Sequence, residues 1–261
     1  MAGLAQTSMV LSPRSTVDGE LRSRLMIFCD LDGPLIDVSH RYYKTYQLAV
    51  AETQADFRNR GRSLQLTLLS QPQFWHMKQE RLPDTDIAYC SGLRHNQIDA
   101  FLAHVHRIVN QPILLGEDRL QPGVSSAISR LHAHGARLTV ITLRAQPQAV
   151  QLLQQYRLLQ WFDQVHGTAD EYAAYQNYAA VKAQLLQAAI AEDTQFSSRD
   201  QVWMIGDTEA DVLAAQALDI PAIALTCGIR SRAYLEHLQP TTVQENLVAA
   251  TQYLLQHAHS P

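Results

Sequence analysis

Apolar residues group along this chain in two ways. Short unbroken runs, at Leu25–Phe28, Leu138–Ile141, Val202–Ile205 and Ala222–Leu225, have the length and density of strands buried on both faces. Stretches between them carry apolar residues at helical spacing, near residues 123–134, 145–157, 178–192 and 209–217, with Gly135 as a stop for the first. A further short strand is predicted near 162–166 and a last helix over 241–257. Strand–helix alternation of this kind predicts an α/β fold, a parallel sheet with helices on both faces.

From residue 39 to 115 no run reads as a buried strand. Helical spacing recurs instead over 39–56, 62–70, 72–81 and 96–109, with Ser39 placed to cap the first helix and Pro72 suited to the first turn of the third. Pro83, Gly92 and Pro112 punctuate the stretch. The expected organisation is a flexible N-terminal tail over 1–23, an α/β core from 24–38 and 116–261, and an all-helical insert over 39–115.

The chemistry concentrates where predicted strands end. Asp30-Leu31-Asp32-Gly33 follows the first apolar run, and Gly206-Asp207-Thr208-Glu209-Ala210-Asp211 follows the run ending at Ile205. Carboxyl ends of strands are where ligand sites form in open α/β sheets. A pair such as Asp30 and Asp32 suits a nucleophile beside an acid/base; it also suits an Asp-rich turn. Four strand-end carboxylates repel one another unless a cation sits among them, and all-oxygen ligands favour Mg²⁺. Thr142 ends the predicted strand at 137–141 with a hydroxyl, and Lys182 lies in the helical stretch before the second carboxylate pair.

In this order, Asp30-x-Asp32-Gly33, Thr142, Lys182 and Gly206-Asp207-x-x-x-Asp211 resemble the haloacid dehalogenase superfamily over about residues 25–230. The resemblance implies a Rossmann-like core. The helical insert is similar to the cap of the subgroup that includes phosphoglycolate phosphatases, β-phosphoglucomutases and phosphonatases. It implies Asp30 as the nucleophile that forms an aspartyl-phosphate and Asp32 as acid/base, its proton affinity raised by neighbouring carboxylates. It implies Thr142 and Lys182 as partners of phosphoryl oxygens, and a Mg²⁺ site from Asp30, Asp207 and Asp211 with Asp32, the last through its backbone carbonyl. One departure is Pro34, where the family usually has threonine; it leaves both aspartates and the glycine in place.

The expected activity is Mg²⁺-dependent hydrolysis of a small phosphorylated metabolite. A phosphomutase uses the same four aspartates and differs in its acceptor; a phosphonatase needs a cap lysine, for which Lys44 and Lys78 are available. Dehalogenation has no use for Asp32 or the metal carboxylates. A non-catalytic phospho-ligand binder on the same fold is the reading of another class. Within the insert, Arg58, Arg60, Arg62, Trp75, His76, Lys78 and Arg81 are candidates to face substrate, although an aromatic–cationic stretch of this kind also suits ordinary helix packing.

Composition narrows the partners. A net charge of −4 without a basic stripe argues against nucleic acid. No apolar run approaches the ~20 residues that span a bilayer. Cys29, Cys90 and Cys227 are dispersed, with Cys29 and Cys90 reading as small apolar fillers, which suits a reducing cytoplasm. A monomer or homodimer is expected.

Overall fold

The computed structural model describes residues 9–10, 25–193 and 201–257. In chain order the elements are β1 (Met9–Val10), β2 (Leu25–Cys29), β3 (Ile36–Asp37), α1 (Ser39–Asn59), α2 (Gln71–Gln79), α3 (Asp84–Cys90), α4 (Asn96–Ile108), α5 (Pro112–Leu115) and β4 (Arg119–Leu120). They continue as α6 (Val124–Ala133), β5 (Arg137–Ala145), α7 (Gln146–Gln155), a 3₁₀ turn (Leu159–Trp161), β6 (Gln164–Thr168), α8 (Ala173–Gln176), α9 (Ala179–Glu192), β7 (Gln201–Gly206), α10 (Glu209–Gln216), β8 (Ala222–Leu225), α11 (Arg232–His237), β9 (Thr242–Gln244) and α12 (Leu247–His257).

The chain divides into two compact units, one of residues 1–36, 120–228 and 235–261, the other of 37–119 and 229–234. The first is built on a sheet in the order β1-β6-β5-β2-β7-β8-β9, parallel throughout except for β1. This is the expected Rossmann-like α/β architecture. From β2 the chain moves outward through β5 and β6, then returns to the other flank of β2 for β7, β8 and β9. The strand order therefore reverses at β2, the position where α/β sheets bind ligands at their carboxyl ends. All five β2 residues are buried. Met26 and Phe28 of β2 pack with Ile141, Met204, Leu186 and Ala210, so apolar area and small alanine contacts fix the strands and the helices α9 and α10 together.

The second unit is helical. Here α1 buries Tyr46, Ala49, Val50 and Phe57, and α4 buries Phe101, Val105 and Ile108. The Tyr46 ring stacks on Phe74 at 5.0 Å, while its hydroxyl meets the Ser91 Oγ at 2.8 Å and accepts the Leu69 N–H at 2.8 Å. Ile229–Tyr234, far downstream, joins this unit: the Arg230 Nη1 donates to the Lys78 carbonyl at 3.0 Å and the Ser231 N–H to that of Gln79 at 3.1 Å.

A buried ion pair, Arg41 Nε to Asp118 Oδ1 at 2.8 Å, ties the start of α1 to the end of the same unit. Asp118→Ala leaves the guanidinium without its carboxylate. We expect a loss of about 3–5 kcal/mol, the usual cost of breaking a buried pair from one side, read from the urea midpoint. A loss below ~1 kcal/mol would show that Arg41 is solvated or repartnered in the variant.

Several local expectations are corrected. Residues 62–70 are not helical. Gly61, at φ +74°, ends the turn after α1, and Leu64 and Leu66 then alternate with exposed neighbours at period two. Backbone partners for that extended stretch come from elsewhere: the Thr67 N–H donates to the Ser91 carbonyl at 3.0 Å, and the Tyr43 hydroxyl donates to the Leu69 carbonyl at 2.9 Å. Ser39 is the first helical residue, not the cap; its N–H donates to Asp37 Oδ1 at 2.8 Å. Residues 241–257 form β9 and then α12, not one helix, because Thr242 and Val243 extend the sheet and Asn246 Oδ1 accepts the Ala249 N–H at 3.0 Å. Most of the stretch read as a tail lies outside the described residues; within it Met9–Val10 pair antiparallel with β6 at the end of the sheet. Cys90 is exposed, not a core filler. Among the described residues no helix is long and apolar enough to cross a membrane.

Candidate active site

Asp30 follows β2 directly. Its N–H donates to the Ile205 carbonyl at 2.9 Å, which extends the β2–β7 ladder and delivers the side chain to the centre of the sheet's carboxyl edge. Asp30 Oδ1 accepts the Leu31 N–H at 2.7 Å, and Oδ2 lies 2.8 Å from the Lys182 Nζ. The chain then turns tightly. Gly33, at φ +93°, donates to the Ile36 carbonyl at 2.8 Å, and the Leu35 and Ile36 N–H groups donate to the Leu31 carbonyl. None of these bonds needs an N–H from Pro34.

Lys182 rises from α9 and is 1% exposed. Its Nζ is 2.8 Å from Asp211 Oδ1 as well as from Asp30, so one ammonium joins the two carboxylates. Asp211 is held from its other side by α10: Oδ2 accepts from the Thr208 N–H at 3.0 Å, the Thr208 hydroxyl at 2.8 Å and the Asp207 N–H at 3.2 Å. This capping box is a local consequence of the Thr-x-x-Asp sequence at the helix start. Burial raises the Asp30 carboxyl to about 7, against the lowering pull of Lys182. Burial alone would lower Lys182, but Asp211 and Asp30 outweigh it and hold the amine above its ordinary value. The neighbouring Cys29 thiol is pushed well up, chiefly by burial, and is therefore an inert filler.

Asp30, Asp207 and Asp211 bring carboxylate oxygens within 4.8 Å of one another, all buried. Asp32 stands outside that group. Its carboxylate faces Arg144, whose Nη2 lies 2.7 Å from Asp32 Oδ1 and whose Nε lies 3.1 and 3.2 Å from the two oxygens. Thr142 is 1% exposed on β5, and its hydroxyl oxygen accepts the Arg144 N–H at 3.1 Å. Around these four carboxylates stand two buried cations, Lys182 and Arg144. Carboxylate groups outnumber cations here, an excess that a divalent cation would offset. Hard oxygen donors at this spacing fit Mg²⁺.

Three features here had no mark, or only a partial one, in the sequence-based reading. Arg144 is one. The second is a set of glycines that make room for the carboxylates: a methyl on Gly33 or Gly228 would overlap the Asp207 carboxylate, and one on Gly206 would overlap that of Asp211. The third is Gln121, whose Nε2 donates at 3.0 Å to the carbonyls of both Gly33 and Cys227 and so ties together the two loops flanking Asp207. Of these, only Gly33 and Gly206, which stand within the two aspartate motifs, carried a usable signal, because close backbone approach at a strand end favours glycine.

Comparison with known proteins identifies the family. The chain is 29% identical to a phosphoglycolate phosphatase of Aliivibrio fischeri over 126 residues, which is 48% of this chain and 52% of that protein. Its match thus spans about half the length of that relative. It is 25% identical over 240 residues, 91% of this chain and 97% of the other, to a Dickeya dadantii protein named "Probable phosphatase IndB". A solved structure from Clostridium difficile shares the fold at a TM-score of 0.66 and 17% identity, covering 89% of this chain and 99% of that one. The family match itself runs over residues 26–219 and takes in Asp30, Asp32, Thr142, Lys182, Asp207 and Asp211; this chain belongs to the haloacid dehalogenase-like hydrolases.

Proposed function

We propose that the chain is a Mg²⁺-dependent phosphatase that hydrolyses a small phosphorylated metabolite through an aspartyl-phosphate on Asp30. The observation that carries this reading is Lys182, buried and bridging Asp30 to Asp211 beside Asp207. A buried ammonium of this kind keeps Asp30 oriented and favours its ionised, nucleophilic form. Phosphatase-named relatives point the same way.

In the first step an Asp30 oxygen bonds to phosphorus as the bond from phosphorus to the leaving oxygen breaks, and Asp32 gives that oxygen a proton. In the second, water bonds to phosphorus, the Asp30–phosphorus bond breaks, Asp32 takes the water's proton and orthophosphate departs. Thr142 accepts a backbone N–H through its oxygen and so keeps its own proton to donate to a phosphoryl oxygen. Asp30, Asp207 and Asp211, with the Asp32 carbonyl, would hold the cation, which when bound supplies positive charge for the phosphoryl oxygens. Free, dispersed cysteines suit a cytoplasmic enzyme. Hydrolysis of a generic aryl phosphate is expected to need Mg²⁺ and to return when Mg²⁺ is added after EDTA. Full turnover after exhaustive chelation would sink the metal assignment.

The helical unit is proposed as the cap that selects the substrate, since the core's polar groups are committed to phosphate and cation. Arg58, Arg62 and Arg81 are exposed, and Lys78 pairs with Asp84 at 2.9 Å; these four cations are the candidates to bind a distal polar group. Alanine at the reader is expected to cut kcat/KM for the preferred metabolite by tenfold or more and to spare the aryl phosphate. Equal losses on both substrates for every variant would move selection to the core loops around Thr226–Gly228.

A further inference from the structure

We propose that Arg144 is the positioning residue that reserves Asp32 for proton transfer, by holding its carboxylate out of the cation cluster. The inference rests on the phosphatase reading of the site and assigns a task to a residue outside the motifs that carry it.

The backbone is shaped to deliver Arg144. Strand β5 pairs with β6 in regular register up to Ile141 opposite His166, and resumes with Ala145 opposite Thr168. Between these points β5 has three residues, Thr142, Leu143 and Arg144, where β6 has only Gly167. A bulge of this kind re-aims side chains that regular alternation would fix on one face. The β6 strand accommodates it with a glycine: a methyl on Gly167 would come 2.8 Å from the Arg144 carbonyl oxygen and 2.6 Å from the Gln146 Cα. Arg144 is then 3% exposed, an expensive place for a guanidinium unless a carboxylate meets it. Asp32 meets it with both oxygens, in a fork geometry that only arginine offers.

Asp32 lies two residues from Asp30 in the same tight turn, so a cation among Asp30, Asp207 and Asp211 would attract a fourth carboxylate within reach. Once bound there, Asp32 would lose its freedom to exchange a proton with the leaving group. Lys182 cannot prevent this, because its ammonium is engaged by Asp30 and Asp211. Arg144 is the buried cation placed on Asp32 itself.

The test measures Mg²⁺ binding alone, by calorimetry on the full chain, for wild type, Arg144→Ala, Asp32→Asn and the double variant. Arg144→Ala is expected to tighten Mg²⁺ binding at least tenfold in the wild-type background and less than twofold in the Asp32→Asn background. Unchanged binding in Arg144→Ala, or equal tightening in both backgrounds, would overturn the proposal; the second result would mean that removal of a positive charge acts through space. Arg144→Lys, which keeps the charge and loses the fork, covers the case in which the alanine variant does not fold. With that variant kcat/KM is expected to fall at least a hundredfold for an alkyl phosphate and less than tenfold for p-nitrophenyl phosphate, whose leaving group departs without an acid. Equal falls on both would assign Arg144 a structural or phosphate-binding role and overturn the proposal. A wild-type protein that turns over neither phosphate counts against the phosphatase reading and against proton transfer by Asp32, while the Mg²⁺ comparison still decides whether Arg144 holds Asp32 away from the cation.

Discussion

Asp30→Asn is expected to abolish turnover and leave the fold intact. The substitution keeps size and shape and removes the charged oxygen proposed to attack phosphorus. Loss of a covalent nucleophile costs several orders of magnitude in rate in comparable enzymes. Lys182 keeps its 2.8 Å partner Asp211, so the buried ammonium is not stranded. Burial pushes the Asp30 carboxyl up, which means that its charge costs stability in the folded state at neutral pH when no cation is bound. Measured in EDTA, the variant should therefore melt at or above the wild-type temperature while its kcat falls below a thousandth. Retention of a tenth of the activity, a change of only ~1.4 kcal/mol in the barrier, would remove Asp30 from the nucleophile's role.

The core of the fold was readable because its strands announce themselves. Leu25–Phe28 and Ala222–Leu225 are short apolar runs buried on both faces, Val202–Ile205 is one whose first two residues are half-buried, and each appears as a strand with nearly the expected ends. Strand β5 was expected to stop at residue 141, yet it continues to Ala145 because a bulge absorbs Thr142–Arg144. A bulge leaves no period to detect. Similarly, Leu64 and Leu66 alternate with polar residues in a stretch whose composition also suits a helix; hydrogen bonds to Tyr43, Tyr46 and Ser91 decide the matter, and they come from distant parts of the sequence.

The same distinction holds in the site. Strand-end motifs pointed to Asp30, Asp207 and Asp211, and the family resemblance to Lys182; these four meet because their strands and helices share one edge of one sheet. Spacing said nothing of Arg144, which is 112 positions from Asp32 and reaches it only through the β5 bulge. Nor did it mark Gln121, whose contacts with Gly33 and Cys227 depend on where two loops close.

Gly33→Ala is expected to weaken Mg²⁺ binding at least tenfold and to reduce turnover at least a hundredfold. Two effects act at this position. The backbone sits at φ +93°, which costs an alanine about 1–2 kcal/mol, and the new methyl would overlap the Asp207 carboxylate. Either the turn carrying Asp30 and Asp32 shifts or Asp207 leaves its place, and both outcomes spread the carboxylates apart. Gly135→Ala separates the two effects. Its φ is +77°, and nothing lies within 4 Å of the added methyl. It should lower stability by a comparable ~1 kcal/mol and leave Mg²⁺ affinity and kcat within twofold of wild type. Gly228→Ala supplies the complement, since there the methyl meets Asp207 on a backbone that is not left-handed. If Gly33→Ala and Gly228→Ala both behave like Gly135→Ala, with lower melting temperature and undiminished Mg²⁺ binding, then Asp207 does not hold the cation from the position it occupies beside these two loops.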